Sequence, residues 1–229
     1  MAEDYLPRDK TLTSPLHAAE FAVVNETAFY REAQSTAFWA GARMLVAIGV
    51  TVYGALAFSY FYLRALNSNG LWHPRGQHAS PLLGAQIVAF GLISCLLYVW
   101  ATRRLRSGRG EALDWQVAAG IASVLMLLAT SLQIWQLTRL RFAPGDSAFA
   151  SLFVATAVVT ISMMLIGLYQ METVVARSVR LRGLLSATEP TATSPEVISF
   201  RHGVDAASLY AGFLAMAMAL VYVLFYVAT

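Results

Sequence analysis

Five long apolar stretches, none with an ionised residue in its middle, leave little of this chain for any other structure. Each has about 20 residues or more, enough to cross some 30 Å of hydrocarbon as a helix at 1.5 Å per residue. A bilayer interior holds no water to satisfy backbone N–H and C=O groups, so such stretches cross it as helices. The sequence predicts an all-α integral membrane bundle of five transmembrane helices, at about residues 44–63, 81–101, 115–137, 148–171 and 206–228.

The composition agrees with lipid as the solvent of this chain. Hydrophobic residues make up 58% of it and charged residues only 13%, whereas a soluble domain carries about 25% charged residues. The net charge of +3 comes from arginines placed in short loops beside the apolar stretches, which is typical of orientation signals rather than of a nucleic-acid surface. Cys95 is the single cysteine, so neither a disulfide framework nor a multi-cysteine metal site can form.

The loops between the predicted spans differ in their arginine content. Loops 2–3 and 4–5 are the richer ones, with Arg103, Arg104, Arg106, Arg109, Arg177, Arg180, Arg182 and Arg201. Loops 1–2 and 3–4 are poorer, with Arg64, Arg75, Arg139 and Arg141. Because arginine-rich loops stay on the cytoplasmic side, the pattern predicts an N-terminus inside and a C-terminus outside.

Residues 1–37 are predicted to form a cytoplasmic or interfacial tail ahead of one transmembrane domain, residues 38–229. Ser14-Pro15 is a favourable helix start, with a capping hydroxyl and a proline at the first helical position. Phe21, Val24 and Ala28 then share one face, which predicts a short interfacial helix over residues 17–31. A solvated tail is the alternative.

Redox and transport chemistry lack their usual residues in the predicted spans. A haem or copper centre needs ligands, usually histidine, that face into the bundle. All four histidines lie outside the predicted spans: His17, His73, His78 and His202. Ion-coupled transporters keep a carboxylate near mid-membrane, and the spans have none. We therefore expect no cofactor and no metal bound by this chain, and no catalytic residue.

Small residues at i, i+4 spacing predict close helix packing. Ala207, Ala211, Ala215 and Ala219 form such a stripe in the fifth span, and stripes of this kind let helix backbones approach one another in lipid. The partner helix could belong to this chain or to another. Alanine stripes therefore mark a packing surface without naming what covers it.

Polar side chains at the span ends and within the spans are candidates for interface or lipid contacts. Gln133 and Gln136 share a face and are expected to hydrogen-bond across helices or to contact a quinone or lipid headgroup. Arg43 is placed to snorkel, Arg64 is a further candidate for a lipid or interface contact, and Trp72 is placed to anchor at the interface. Glu172 is expected to pair with Arg177 near the cytoplasmic surface, or else to handle protons.

Three ordered stretches resemble the haem–copper oxidase subunit III family (cytochrome c oxidase subunit III) in its short five-helix bacterial form. Residues 57–64, AFSYFYLR, resemble the family's aromatic ending of the first span, which includes Arg64, and residues 70–74, GLWHP, resemble its Gly-Trp-Pro loop. Residues 145–153, GDSAFASLF, resemble the entry into its penultimate helix, with Thr156 in step. The similarity covers roughly residues 38–182, and more loosely the fifth span.

The chain departs from the family at several charged positions. Gly49 stands about where the family has a glutamate, Gln133 to Gln136 where it has a second acid, and Val159 and Ser162 where it has two histidines. The family's Trp-His-x-x-Asp signature is echoed only as HGVD, residues 202–205, ahead of the last apolar stretch. The acid-dependent part of the family's behaviour is therefore not expected here.

The resemblance implies a non-redox structural subunit of a respiratory oxidase in a bacterial inner membrane. Such a subunit packs beside the catalytic subunit, has oxidase subunits I and II as partners, and holds phospholipids between its helices. Haem and copper are expected in those partner subunits, and the complex supports aerobic electron transport. Two alternatives stay open: an accessory membrane subunit of a nitric oxide reductase, and an unrelated small transporter component with a water-filled cavity lined by Gln133, Gln136 and Ser162.

Overall fold

The backbone of this protein is described by a computed structural model for residues 15–66, 72, 79–107, 112–181 and 195–228, with side chains in the first helix from residue 37. These residues form helices α1 (Pro15–Ala65), α2 (Pro81–Arg106), α3 (Ala112–Thr138), α4 (Ala148–Arg180) and α5 (Pro195–Tyr222), followed by a π-helical turn (Val223–Val227). Five of the described segments are long and apolar enough to cross a membrane. For the described residues, the prediction of an all-α fold with five helices able to cross a membrane is confirmed.

The helices extend beyond the predicted apolar spans. The membrane-compatible segments run Ala37–Ala65, Pro81–Arg106, Leu113–Thr138, Ala148–Arg180 and Glu196–Val227. The difference is greatest in α5, which begins about three turns before residue 206 and so takes His202 and Asp205 into the helix. Hydropathy locates only the part of a helix that suits hydrocarbon. Helical hydrogen bonds continue through polar residues at the membrane surface.

The predicted N-terminal helix is part of α1. Pro15 starts this helix, as the Ser14-Pro15 pair predicts, but α1 then continues without interruption to Ala65. The boundary predicted near residue 37 therefore lies within one helix. Whether the part before residue 37 contacts the membrane surface stays a prediction, because its side chains lie outside the described residues.

Two serines begin helices on the same side of the bundle. Ser80 precedes Pro81 and its hydroxyl accepts a hydrogen bond from the Leu83 amide at 3.4 Å. Ser147 accepts one from the Ala150 amide at 3.0 Å. Gly145 supplies the left-handed backbone of the preceding turn, with φ +103°. These caps satisfy amides at the starts of α2 and α4.

Four helices close a ring and the first packs outside it. Helix α2 packs on α3, α3 on α4, α4 on α5, and α5 again on α2. Helix α1 lies against α5 and, less extensively, α4. Of the 18 most apolar consecutive residues, only 17% are buried in α1, against 50% in α4. Helix α1 is therefore the peripheral helix, and α5 joins it to the ring.

The alanine stripe of α5 lies inside the bundle. Ala207, Ala211 and Ala215 are buried, and Ala219 is partly exposed. The first three belong to one core cluster that also contains Tyr53 of α1 and Cys95 of α2. Small side chains let α5 approach its neighbours closely. Within the described residues, the covering helices of this stripe thus belong to the chain itself.

Helix α1 contacts α5 where Gly49 of α1 lies against the ring of Phe213 of α5. Gly49 is buried, and a Cβ added there would lie 2.5 Å from Cε1 of Phe213 and closer still to its Cζ. The Phe213 ring is held by Tyr53 and Tyr210, whose ring centroids lie 6.2 Å and 6.1 Å from it. Position 49, where the family resembled above has a glutamate, is therefore covered by a phenyl ring.

One ion pair joins α2 to α5. The Arg106 Nε donates to a carboxylate oxygen of Asp205 at 2.6 Å, and its Nη2 contacts the same oxygen. The arginine side chain is 57% exposed and the aspartate only 19%. It is the one ion pair found between two described side chains. The contact ties the C-terminal end of α2 to the first third of α5.

We expect Arg106→Gln to lower the free energy of unfolding by about 1 kcal/mol. The arginine is half in solvent, which screens its gain, but the more buried Asp205 loses its counter-charge. Arg103→Gln, at an exposed position in the same turn, is the matched control and should change little. Denaturant titration in mixed micelles measures both. Partial recovery in the charge-swapped double variant Arg106→Asp/Asp205→Arg would support the pair, and equal stability of R106Q and R103Q would contradict it.

Candidate functional site

Aromatic side chains cluster at the end of the bundle where α1, α3 and α5 finish, here called the aromatic end. Tyr60 of α1 and Trp72 of the following loop meet edge to face, with ring centroids 5.2 Å apart. Trp72 meets Phe149 of α4 at 5.9 Å, and Tyr60 meets Phe225 of the π-helical turn at 5.4 Å. Tyr60 and Phe149 are 0% and 1% exposed. Edge-to-face pairs at these separations are favourable beyond their buried area.

This aromatic cluster brings together the three stretches that carry the resemblance. Tyr60 belongs to residues 57–64, Trp72 to residues 70–74 and Phe149 to residues 145–153. The Phe149 amide also donates to the Trp72 carbonyl at 3.3 Å. Trp72 is only 6% exposed, so it lies inside the cluster rather than on the bilayer-facing surface expected of an interfacial anchor.

At the aromatic end, Arg64 of α1 contacts Ala228, just after the π-helical turn that follows α5. Its Nη1 donates to the Tyr60 hydroxyl at 3.2 Å and to the Ala228 carbonyl. The guanidinium also lies 5.9 Å from the centroid of the Tyr60 ring. A cation at the carbonyl end of a helix complements the helix dipole and a free carbonyl. Arg64 therefore joins α1 to α5 within this chain.

The predicted glutamine pair is buried beside the aromatic cluster. Gln133 Nε2 lies 3.5 Å from Gln136 Oε1, and the Tyr226 hydroxyl donates to that same oxygen at 3.0 Å. The two glutamines are 8% and 2% exposed. Gln136 thus makes the cross-helix bond that the sequence predicts, to the π-helical turn. Gln136 Nε2 has no hydrogen-bond partner among the described residues.

Most of the span hydroxyls bond within their own helix instead of across helices. Thr130, Thr156 and Ser162 donate to the carbonyls of Met126, Leu152 and Val158, at 2.7–3.0 Å. Serine and threonine reach the carbonyl one turn back more easily than a neighbouring helix. Thr160 does both: its hydroxyl donates to the Thr156 carbonyl and accepts from the Tyr53 hydroxyl of α1 at 3.2 Å.

A groove of about 620 Å³ lies between α1, α4 and α5 at the opposite end, where α2 and α4 finish among arginines. This is here called the arginine end. Leu45, Ile166 and Val174 form part of its apolar wall, and Gln170 contributes a buried Oε1 with no described hydrogen-bond partner. The Arg177 guanidinium lies on its rim, 4.5 Å from the centroid of the Phe38 ring.

Two other predicted contact residues stand on the surface at the arginine end. Arg43 lies over the Trp39 ring, 5.2 Å from its centroid, and is exposed. Glu172 is exposed on α4. The expected ion pair between Glu172 and Arg177 is not formed, although both residues are described, because Arg177 is turned towards Phe38 instead.

The described residues assemble no group of three or more His, Cys, Asp or Glu side chains. His202 lies within α5, partly buried, and its Nδ1 has no described hydrogen-bond partner. Cys95 is buried in the core cluster. The side chain of His17 is not among those described, and His73 and His78 lie outside the described residues.

Comparison with known proteins adds no relative. Neither the scan against protein-family models nor the search of curated proteins finds a match to this chain. The site is therefore interpreted from its own residues.

Sequence reasoning missed several residues that organise the bundle. Tyr53 and Tyr210 lie well inside their spans, and the hydroxyl of each donates a buried hydrogen bond. Tyr53 donates to the Thr160 hydroxyl, and Tyr210 donates to the Met163 carbonyl at 2.9 Å. A tyrosine within a span predicts such a partner, so this signal was available. The ion pair of Arg106 and Asp205 joins residues 99 positions apart. No short sequence pattern around either residue predicts it.

Proposed function

We propose that this protein is a non-redox structural subunit of a bacterial respiratory haem–copper oxidase, similar to cytochrome c oxidase subunit III. It packs beside the catalytic subunit in the inner membrane and holds phospholipids against its helices. Subunits I and II of the complex carry haem and copper, and the assembled complex supports aerobic electron transport. This chain performs no catalysis alone.

The observation that carries the proposal is the aromatic cluster. The three stretches that resemble the family are separated in sequence by up to about ninety residues, yet Tyr60, Trp72 and Phe149 meet in one buried contact set. Side chains that pack in one buried unit each depend on the others for their contacts. The three stretches that resemble the family, residues 57–64, 70–74 and 145–153, all contribute to this one cluster. Together they are a more specific resemblance than three short matches in unconnected parts of the structure.

The proposed orientation places the arginine end in the cytoplasm. The C-terminal turns of α2 and α4 carry Arg103, Arg104, Arg106, Arg177 and Arg180. The aromatic end carries fewer arginines in the described part of the chain: Arg64, Arg139 and Arg141. Because arginine-rich ends remain inside, α1 enters the membrane from the cytoplasmic side and α5 ends outside.

The groove at the arginine end suits the proposed phospholipid. Its wall is apolar over most of its surface, and its volume of about 620 Å³ falls within the range of small-molecule sites. Arg177 on the rim supplies a cation for an anionic headgroup. Phospholipid binding in this groove depends on the proposed membrane orientation. In that orientation the headgroup lies in the cytoplasmic leaflet.

The decisive experiment is purification of the tagged chain from its native membrane in mild detergent. We expect haem absorbance and two larger subunits to elute with it, and oxygen consumption with a reduced electron donor. A matched preparation in strong detergent should release the chain without colour. Recovery of the chain alone, colourless and monodisperse from mild detergent, would contradict the proposal. An eluate that reduces nitric oxide and does not consume oxygen would identify the nitric oxide reductase alternative.

The transporter alternative gains no support from the polar residues that suggested it. Ser162 is exposed on the outside of α4 and bonds its own helix. Gln133 lines a cavity of about 20 Å³, which is about the space of one water molecule. These described side chains therefore do not line a passage wide enough for a solute.

A further inference from the structure

A small, partly open cavity lies among α2, α3, α4 and α5 near the aromatic end. Its volume is about 20 Å³, above the ~10–15 Å³ that one water molecule needs. Four polar side chains line it: Gln133, Thr156, Thr160 and Tyr226. The rest of the lining includes Ile87, Val88, Phe153 and Met218. This space is here called the polar cavity.

The hydrogen bonds within the chain leave capacity at each of these polar groups. Thr156 and Thr160 use their hydroxyl protons on helix carbonyls, so their oxygens can still accept. Tyr226 donates to Gln136 and can accept as well. Gln133 Nε2 has one contact, to Gln136, and a second N–H remains. A donor and several acceptors therefore face one small volume from three helices.

Gly84 and the π-helical turn place Tyr226 at the polar cavity. A Cβ added at Gly84 of α2 would lie 2.5 Å from the Tyr226 ring, so glycine is what admits that ring. Tyr226 itself belongs to the π-helical turn, which ends with the Ala228 amide donating to the Val223 carbonyl at 2.8 Å. Short π-helical segments frequently mark functional positions in helices.

We propose that the polar cavity binds one water molecule, which Gln133, Thr156 and Tyr226 hold as a bridge between α3, α4 and α5. Buried waters in proteins usually make about three hydrogen bonds to groups of this kind. In a bilayer such a bridge satisfies polar groups that the lipid cannot. The water would also link α3 and α4 to the π-helical turn after α5. The salt bridge between described residues joins α2 to α5 instead. The proposal does not depend on an oxidase partner.

Solid-state NMR of the labelled full chain in lipid bilayers tests this directly. Magnetisation transfer from water should reach the Gln133 side-chain amide and the Thr156 methyl, and should not reach Thr130, which is buried in the same helix as Gln133 but does not line the cavity. Absence of both cross-peaks from correctly folded wild-type protein would overturn the proposal.

Two variants with matched controls locate the water. Gln133→Leu should abolish the cross-peak at Thr156, whereas Gln86→Leu, at an exposed position on α2, should leave it unchanged. Thr156→Val should weaken water binding about tenfold through the loss of one hydrogen bond, seen as a reduced cross-peak at Gln133, whereas Thr130→Val should have no effect. A cross-peak that survives unchanged in both cavity variants would place the water elsewhere and overturn the assignment.

Discussion

Trp72→Ala is expected to lower the free energy of unfolding by about 3–5 kcal/mol, the range for deleting a large buried aromatic side chain. The indole is 6% exposed and its ring meets Tyr60 and Phe149 edge to face. Its removal leaves a void between α1 and α4 that lipid cannot reach, so the neighbouring rings lose dispersion contacts. Denaturant titration in mixed lipid–detergent micelles measures the change.

Trp135→Ala is the matched control for this prediction. Trp135 lies near the same end of the bundle but is 49% exposed, with Arg139 over its ring at 5.7 Å. Exposed substitutions of this kind usually change stability by less than about 0.5 kcal/mol. If the two tryptophan variants proved equally stable, the aromatic cluster would not be a structural unit, and the argument for the proposed function would lose its basis.

Gly49→Leu is expected to destabilise the protein by about 3 kcal/mol, because the new side chain must displace a ring that is itself held in place. Phe213 covers Gly49 and is packed between Tyr53 and Tyr210. The displacement would separate α1 from α5, the helix against which it mainly packs. The apparent melting temperature and the denaturant midpoint in micelles report the loss.

Gly54→Leu provides the control on the same helix. A Cβ added at Gly54 meets nothing within 4 Å, and the position is exposed. Leucine is a better helix former than glycine by up to about 1 kcal/mol, so this variant should be neutral or more stable. Phe213→Ala in the Gly49→Leu background should restore part of the loss. Equal stability of G49L and G54L would show that Phe213 does not constrain this contact.

The buried Gly49 also bears on the departures from subunit III. The resemblance implies that the family has a glutamate at about this position, and here a phenyl ring fills the space. A carboxylate could enter only if Phe213 moved, and it would add the cost of a charge within the membrane. Within the proposed function, this supports an architectural role and gives no basis for acid-dependent chemistry at α1.

The sequence predicted some side-chain roles and misjudged others for identifiable reasons. Gln136 was expected to bond across helices and does so with Tyr226. Trp72 was expected at the interface, because a tryptophan near a span end usually lies there, yet the residue is 6% exposed and its ring packs against Phe149. Glu172 and Arg177 were paired by proximity along α4, but Phe38 of α1 offers the arginine another partner.

The sequence alone determined that this chain has five helices long and apolar enough to cross a membrane, because a bilayer leaves apolar stretches of that length no other way to satisfy their backbone. It also determined where small residues allow close packing. Only the tertiary structure decided which helices meet: that α1 stands outside a ring of four, that Phe213 covers Gly49, and that Tyr226 reaches Gln136. Hydropathy is a property of each segment, whereas these contacts depend on side-chain shapes from segments far apart in the chain, and lipid does not favour one apolar surface over another.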